Sequence, residues 1–540
     1  MQKKMRFVVS LLLVLTQLFG CTGNAGNTGN TGNQDVLKKE EVIIGFPSIP
    51  EHFDPLRGFG GGGHSSGAHL LFSTLVETDA DINIVLDLAS SFTVSDDALT
   101  YTFKLRDDAL FTDGTAVTVD DVLFTYQTVM QTASSIDLSM VERFETGKDE
   151  FSIILKAPRS TFILTVASIG IVPEHAYDED FGLHPIGSGP FKLTQHDVEQ
   201  QFILEANENY YGHVPEIKRV IFVKMSNEDI RMAAVNAGTV DITMTNAVLA
   251  DAKPEGYYLL TEKSLDNMGI VLPVVPNTGE INQYGNPVGN NITCDINFRK
   301  ALAYGIDREA ICRDALNGYA APAYTENDGM PWSNSQSKID YDLDYAISLL
   351  EESGWVMGSD GYREKDGVRA SFSLMYFAND SVRQAVALSV SQQARDNLGI
   401  EIIVAGTSSD EIKTRMFTEP MILAWGSSNP MTSYYLFHSS RAGLNDYYNP
   451  ENYRSEVVDN YLDQAIAAGS IEAAIPFFQK AQWDGTSGTS MRGDCPYVFL
   501  INKTHLYWAR DGLYTGRQPI HAHGDSWPLV YNLREWKWVD

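Results

Sequence analysis

The chain has 540 residues, 44% of them hydrophobic and 11% aromatic, which is too long for a single core and too apolar for a disordered polymer. Acidic residues outnumber basic ones 70 to 40, giving a net charge of −30. Nucleic acid is not expected as a partner, because phosphate backbones are held by clustered Lys and Arg and no such cluster occurs.

Lys3, Lys4 and Arg6 precede an apolar run over residues 7–15 that is too short to span a bilayer, and Leu18-Phe19-Gly20 leads into Cys21. This resembles a bacterial lipoprotein signal, which implies loss of residues 1–20 and diacylation of Cys21, the contact with membrane lipid. Residues 21–39 repeat Thr-Gly-Asn and read as a flexible tether with nothing to bury. No later segment offers an uninterrupted apolar run long enough to cross a membrane. The remaining cysteines, Cys294, Cys312 and Cys495, are too few for a disulfide framework and lack a C-x-x-C spacing. Cys294 and Cys312 can pair in an extracytoplasmic setting or stay as buried thiols.

Residues 41–46 read as a strand, followed by a loop to Gly63. Alternating apolar and polar residues over 88–97, 99–106 and 111–115, separated by Asp and Gly turns, predict an antiparallel meander. Residues 117–130 shift to helical spacing, with Val119, Val122, Leu123 and Tyr126 on one face and Thr118 as the cap. The two prolines and two glycines of 185–190 make a turn that cannot be helical, and a strand starts at Phe191. Further helices are expected from Asp295 to about Asn317-Gly318, over 341–354 and over 382–397, with a strand at 400–404. Asp360-Gly361 and Asp366-Gly367 bracket a hairpin. Strand and helix alternate through this half, as in an α/β lobe.

Four stretches carry a resemblance when taken in order: Phe111-Thr112-Asp113-Gly114-Thr115 with Thr118-Val119-Asp120-Asp121-Val122; Pro185-Ile186-Gly187-Ser188-Gly189-Pro190-Phe191-Lys192-Leu193; Asn207-Glu208-Asn209-Tyr210-Tyr211-Gly212; and the helix with Ile306-Asp307-Arg308. They are similar to bacterial extracellular solute-binding protein family 5, the dipeptide-, oligopeptide- and nickel-binding receptors of ABC importers. The resemblance spans about residues 40–540. It implies an α/β, two-lobed periplasmic-binding-protein fold of type II with an extra subdomain and a ligand cleft between the lobes. Lobe I is expected over 40–272, with the subdomain at about 76–185, lobe II over 273–499, and a return to lobe I over 500–540. By the same analogy the crossings fall near Pro273 and Leu500. The implied activity is capture of a small solute, a peptide or a nickel complex, and delivery to membrane permease subunits by a monomer, with no catalysis and no cofactor.

Leu423-Ala424-Trp425-Gly426-Ser427-Ser428-Asn429-Pro430 matches that family's cleft segment, where peptide-binding members often carry Asp before the Pro to hold an α-ammonium. Asn429 stands there instead, so the charge-assisted part of that bond is missing. Trp425 is a candidate to line the pocket, and Tyr434 and His438 follow it. In the glycine-rich loop 58–67, Gly63 and His64 sit on backbone that can approach a ligand closely. The nickel alternative draws on His64, His521 and His523, the last two on one side of the chain if it is extended there. Gly63-His64-Ser65-Ser66-Gly67 also satisfies the nucleophile elbow of serine hydrolases through Ser65, and Gly58-x-Gly60-x-x-Gly63 a dinucleotide fingerprint, but neither adjoins the strand that such motifs need.

Overall fold

Val42, Ile44 and Phe46 alternate with less buried neighbours along the strand Glu41–Phe46, which lies at the centre of a seven-stranded sheet. The computed structural model describes residues 39–57, 59, 67–132 and 136–539. The leader, Cys21, nearly all of the tether, and Gly63, His64 and Ser65 lie outside the described residues. The central strand runs parallel to Arg219–Lys224 and to Ile242–Thr245, and antiparallel strands complete the sheet. Parallel neighbours need a crossover, and the helix Glu228–Asn236 supplies one, with Ile230 N donating to the Asn227 side chain at 2.9 Å to cap it. Asp241 opens the third parallel strand: its carboxylate accepts from Ile43 N at 2.8 Å and from Arg510 Nε at 2.8 Å, joining three segments distant in sequence.

A second, four-stranded antiparallel sheet is built from Ala89–Val94, Thr100–Leu105, Glu150–Leu155 and Val141–Thr146. The helix Val119–Gln131 packs on it through Val122, Tyr126 and Val129. Its start is a capping box: Thr118 Oγ1 accepts from Asp121 N, and the Asp121 carboxylate accepts from Thr118 N at 2.9 Å. The turn before Phe191 owes its glycines to a close backbone approach. A Cβ on Gly187 would fall 1.9 Å from the Leu71 carbonyl oxygen, while Gly189 N donates to that oxygen at 2.9 Å and Asn207 Nδ2 to the Gly189 carbonyl at 2.9 Å.

The other lobe has a six-stranded sheet in the order Ala320–Pro322, Tyr497–Lys503, Asn267–Val271, Met421–Trp425, Ser371–Phe377, Glu401–Thr407. Each of the two large sheets sits in its own hydrophobic core. The chain passes between the sheets at residues 263–266 and again at Thr504, the first a few residues before Pro273 and the second a few after Leu500. Glu40–Asp540 forms one compact unit. Cys294, Cys312 and Cys495 are free thiols, and burial pushes Cys312 up to about 12 and Cys495 up to about 11. Among the described residues no helix is long and apolar enough to cross a membrane.

One expected helix is broken. Ile296–Gly305 is capped by Asp295, but Ile306 is extended and Asp307 caps a separate helical segment that begins at Arg308. The reason is tertiary: Arg308 is buried and donates Nη1 to the Ala303 carbonyl at 2.9 Å and Nε to the Phe499 carbonyl at 2.7 Å, so it closes the first helix and fastens it to the sheet. Likewise Asp366-Gly367 is itself a tight turn with both φ positive, and Asp360-Gly361 forms the preceding turn of a small three-stranded sheet.

Thr118→Ala should lower the free energy of unfolding by about 1 kcal/mol, because one capping acceptor is lost. Gly187→Ala should cost more, ~2–3 kcal/mol, because backbone must move to admit the methyl group. Urea melts check both, and a Gly187→Ala protein as stable as wild type would contradict the close approach.

Candidate functional site

The carboxyl ends of the parallel strands in both large sheets face the groove between the lobes, the usual place for a ligand in open α/β sheets. The strand Met421–Trp425 ends there and passes through Gly426-Ser427-Ser428-Asn429 into the helix Met431–Phe437. Gly426 lets this segment lie against the first crossing: a Cβ would fall 2.4 Å from the Leu265 carbonyl oxygen, and the Gly426 carbonyl accepts from His523 N at 2.8 Å. Asn429 Oδ1 accepts from Met431 N at 3.0 Å, which uses one of its two lone pairs on the turn. The side chain still offers its two N–H donors and the second lone pair of Oδ1.

Asn429 and Ser428 wall a cavity of about 200 Å³ whose other side comes from lobe I, including His69, Glu77, Asp87, Tyr210 and Arg534. Arg534 grips Glu77 with two hydrogen bonds, 2.7 Å and 3.3 Å, and its Nη1 lies 3.4 Å from Tyr210 OH. Asp87 accepts from Thr74 N at 2.8 Å and from Tyr211 OH. Burial, with the Glu77 charge adding, pushes its carboxyl up to about 6. His69 is tilted against Tyr531 with ring centroids 4.7 Å apart, and burial holds it down at about 4, so it is neutral at pH 7. Away from the crossings the lobes also touch: Ser160 N donates to the Ile466 carbonyl at 2.9 Å and its hydroxyl to the Ala465 carbonyl at 2.7 Å, satisfying the end of the helix Glu456–Ala467.

The other residues singled out in the sequence fall in three places. Trp425 stacks on Tyr448 at 4.6 Å, Tyr448 leans on Tyr435 at 5.2 Å, and the Trp425 Nε1 is buried with no hydrogen-bond partner among the described residues. Tyr434 stacks on His438 at 4.3 Å, and His438 Nδ1 accepts from Ser440 N at 3.1 Å while Nε2 lies 3.4 Å from Asp463, so this pair faces its own helices and not the cavity beside Asn429. His521 and His523 are engaged at the crossings. His521 Nδ1 is 3.1 Å from His505 Nδ1 and 3.2 Å from Tyr507 OH, and His523 Nδ1 is 2.6 Å from Asp266. Burial and the neighbouring His505 hold His521 well below the usual histidine range. Among the described residues no three His, Cys, Asp or Glu side chains converge on a metal position. Glu77, Asp87 and Arg534 were not anticipated; each is an ordinary charged residue in sequence, and only folding brings them together.

The cavity floor gives a pH dependence. The folded value of Asp87, about 6, lies above its unfolded value of 3.8, so its contribution to stability is full below the unfolded value and is lost as the pH rises through about 6. Asp87→Asn should remove that segment of the stability curve, seen as a shallower fall in melting temperature over the same window; an unchanged slope would contradict the assignment.

Comparison with known proteins agrees with this architecture. A family model described as bacterial extracellular solute-binding proteins, family 5 Middle, matches residues 83–446. Protein XP55 of Streptomyces lividans is 30% identical over 491 residues, covering 87% of this chain and 85% of that one. The oligopeptide-binding protein AppA of Bacillus subtilis is 29% identical over 413 residues, 70% of this chain and 72% of its own. Its structure in complex with a nonapeptide superposes with a TM-score of 0.69 at 23% identity, covering 93% of this chain and 99% of that one. NikZ from Campylobacter jejuni in complex with Ni(L-His) gives a TM-score of 0.76 at 24% identity, covering 93% and 100%. Two sheets joined by crossings, a groove at their carboxyl ends and a match over most of the sequence lead to one conclusion: the chain belongs to family 5 of the bacterial extracellular solute-binding proteins.

Proposed function

We propose that the protein is the lipid-anchored receptor of an ABC importer, captures di- or oligopeptides in the groove between its lobes and passes them unchanged to membrane permease subunits. The observation that carries this reading is the cavity walled by Asn429 from one lobe and by Glu77, Asp87 and Arg534 from the other. Asn429 presents two N–H donors that suit a peptide carbonyl or carboxylate, and its half-used Oδ1 can accept from an α-ammonium only as a neutral partner. The relative named for oligopeptide binding supports the same class of ligand. A nickel complex is the weaker reading, because the rings of His521 and His523 are already engaged by His505, Tyr507 and Asp266. The hydrolase reading through Ser65 gains nothing from the family, whose members are described as binding proteins. The protein acts as a monomer, tethered through Cys21.

Titration of the purified protein with a peptide mixture, and separately with Ni²⁺ plus free histidine, tests the assignment through tryptophan fluorescence and mass spectrometry of the recovered solute. Peptides should change the fluorescence and return intact. A response to nickel-histidine alone, or cleaved peptides, would overturn it. Asn429→Asp should raise affinity for peptides with a free amine by about tenfold, since a neutral partner becomes a charge-assisted one.

A further inference from the structure

A second cavity between the lobes, about 670 Å³, is lined by Glu228, Asp229 and Thr245 from lobe I, by Asp380 and Ser381 from lobe II, and by Lys503 at the second crossing. It lies where the parallel strands Arg219–Lys224, Ile242–Thr245 and Ser371–Phe377 end. Its cations are already committed. Lys503 Nζ sits 3.4 Å from Asp266 and 3.7 Å from Asp525, and Arg231, also in the wall, donates to the carbonyls of Met244 at 3.2 Å and Met225 at 3.1 Å. Asp380 is paired with Arg383 at 2.6 Å. Glu228 and Asp229 form no ion pair among the described residues; Glu228 receives a 3.4 Å contact from the Ser381 hydroxyl across the gap and lies within the field of Arg231.

The second, independent feature is Thr245. It is 7% exposed, it lines this cavity, and its Oγ1 is buried with no hydrogen-bond partner among the described residues. A buried hydroxyl left without a partner is costly, and a group supplied from outside the chain removes that cost. The surroundings define the group. The wall carries four carboxylates, Glu228, Asp229, Asp380 and Asp525, against two cations, Arg231 and Lys503, so an anion would be repelled, whereas a nitrogen cation can donate both to Thr245 Oγ1 and to Glu228. A bare metal ion is the poorer fit, because no three metal-binding side chains converge among the described residues.

We infer that this chamber is the subsite for a basic side chain of the ligand, a lysine ammonium or arginine guanidinium, accepted by Thr245 Oγ1 and held by the charges of Glu228 and Asp229. The inference rests on the peptide reading above and refines it to peptides that carry a basic residue. None of the three side chains holds the fold together through a charged partner, so their replacement leaves the protein folded: Glu228 is half-buried in the first turn of its helix and Asp229 is exposed.

The test is enrichment of a mixed-length synthetic peptide library on the intact protein, read by mass spectrometry of the bound fraction. Wild type should enrich Lys- and Arg-containing peptides about tenfold over the starting pool, the scale of one charge-assisted contact. Thr245→Val and Glu228→Gln should each bring the enrichment to less than about twofold, with melting temperatures close to wild type. Peptides bound without basic enrichment, or an enrichment that survives both substitutions, would overturn the subsite and leave peptide capture standing. A bound fraction with no peptide in it would overturn peptide capture and this subsite together.

Discussion

The carboxylate of Asp266 is the fixed point of the molecule. It lies 3% exposed where the chain leaves one large sheet for the other, between the strands Tyr257–Glu262 and Asn267–Val271. Burial alone would drive its proton affinity up. Instead His523, Lys503 and the His505 hydrogen bond hold it well below the usual carboxylate range, so it is charged at any working pH. The backbone repeats the connection: Lys503 N donates to the Asp266 carbonyl at 2.8 Å, and Leu265 N to the His521 carbonyl at 2.7 Å. Three segments, 263–266, 503–505 and 521–523, are thereby fastened at one place. Removing one partner of a buried, hydrogen-bonded charge typically costs ~3–5 kcal/mol, which is a large share of the stability of any domain.

That fixed point holds the two lobes in register at the crossings. Each large sheet buries its own core, and the crossings, the Ser160 contact, the groove walls and the bond from Asn317 Nδ2 to the Ala247 carbonyl at 2.9 Å join them. The Ser160 bonds to Ala465 and Ile466 lie far along the chain from the crossings and join the lobes at a second place. They are two short bonds to helix-end carbonyls that water could otherwise satisfy, so they add only modestly to the join between the lobes. A ligand that touches both walls adds what the protein lacks, and differential contact with the shut state is the only way a ligand can shift such an equilibrium.

Much of this was legible in the residues. The helix at 119–131 announced itself by spacing and by Thr118, and the structure adds the return bond from Thr118 N to the Asp121 carboxylate that completes a capping box. The glycines at 187 and 189 marked a turn, whereas the close approach of Leu71 that leaves no room for a side chain there could not be read from the turn itself. The break at Ile306 was hidden, because it depends on a guanidinium reaching the carbonyl of Phe499, 191 residues away. The same is true of the cavity floor: Glu77 and Arg534 are 457 residues apart, and no local pattern marks either. Asn429 and Trp425 were found only through likeness to a family segment. The i, i+2 spacing of His521 and His523 suggested a metal pair, but periodicity carries no information on burial, and their rings are engaged at the crossings.

The account stands on a ligand enclosed between two lobes that turn about Asp266. Small-angle X-ray scattering of the intact protein, with and without saturating peptide, examines that motion directly. The radius of gyration should fall when peptide binds, and an unchanged radius with peptide demonstrably bound would contradict it.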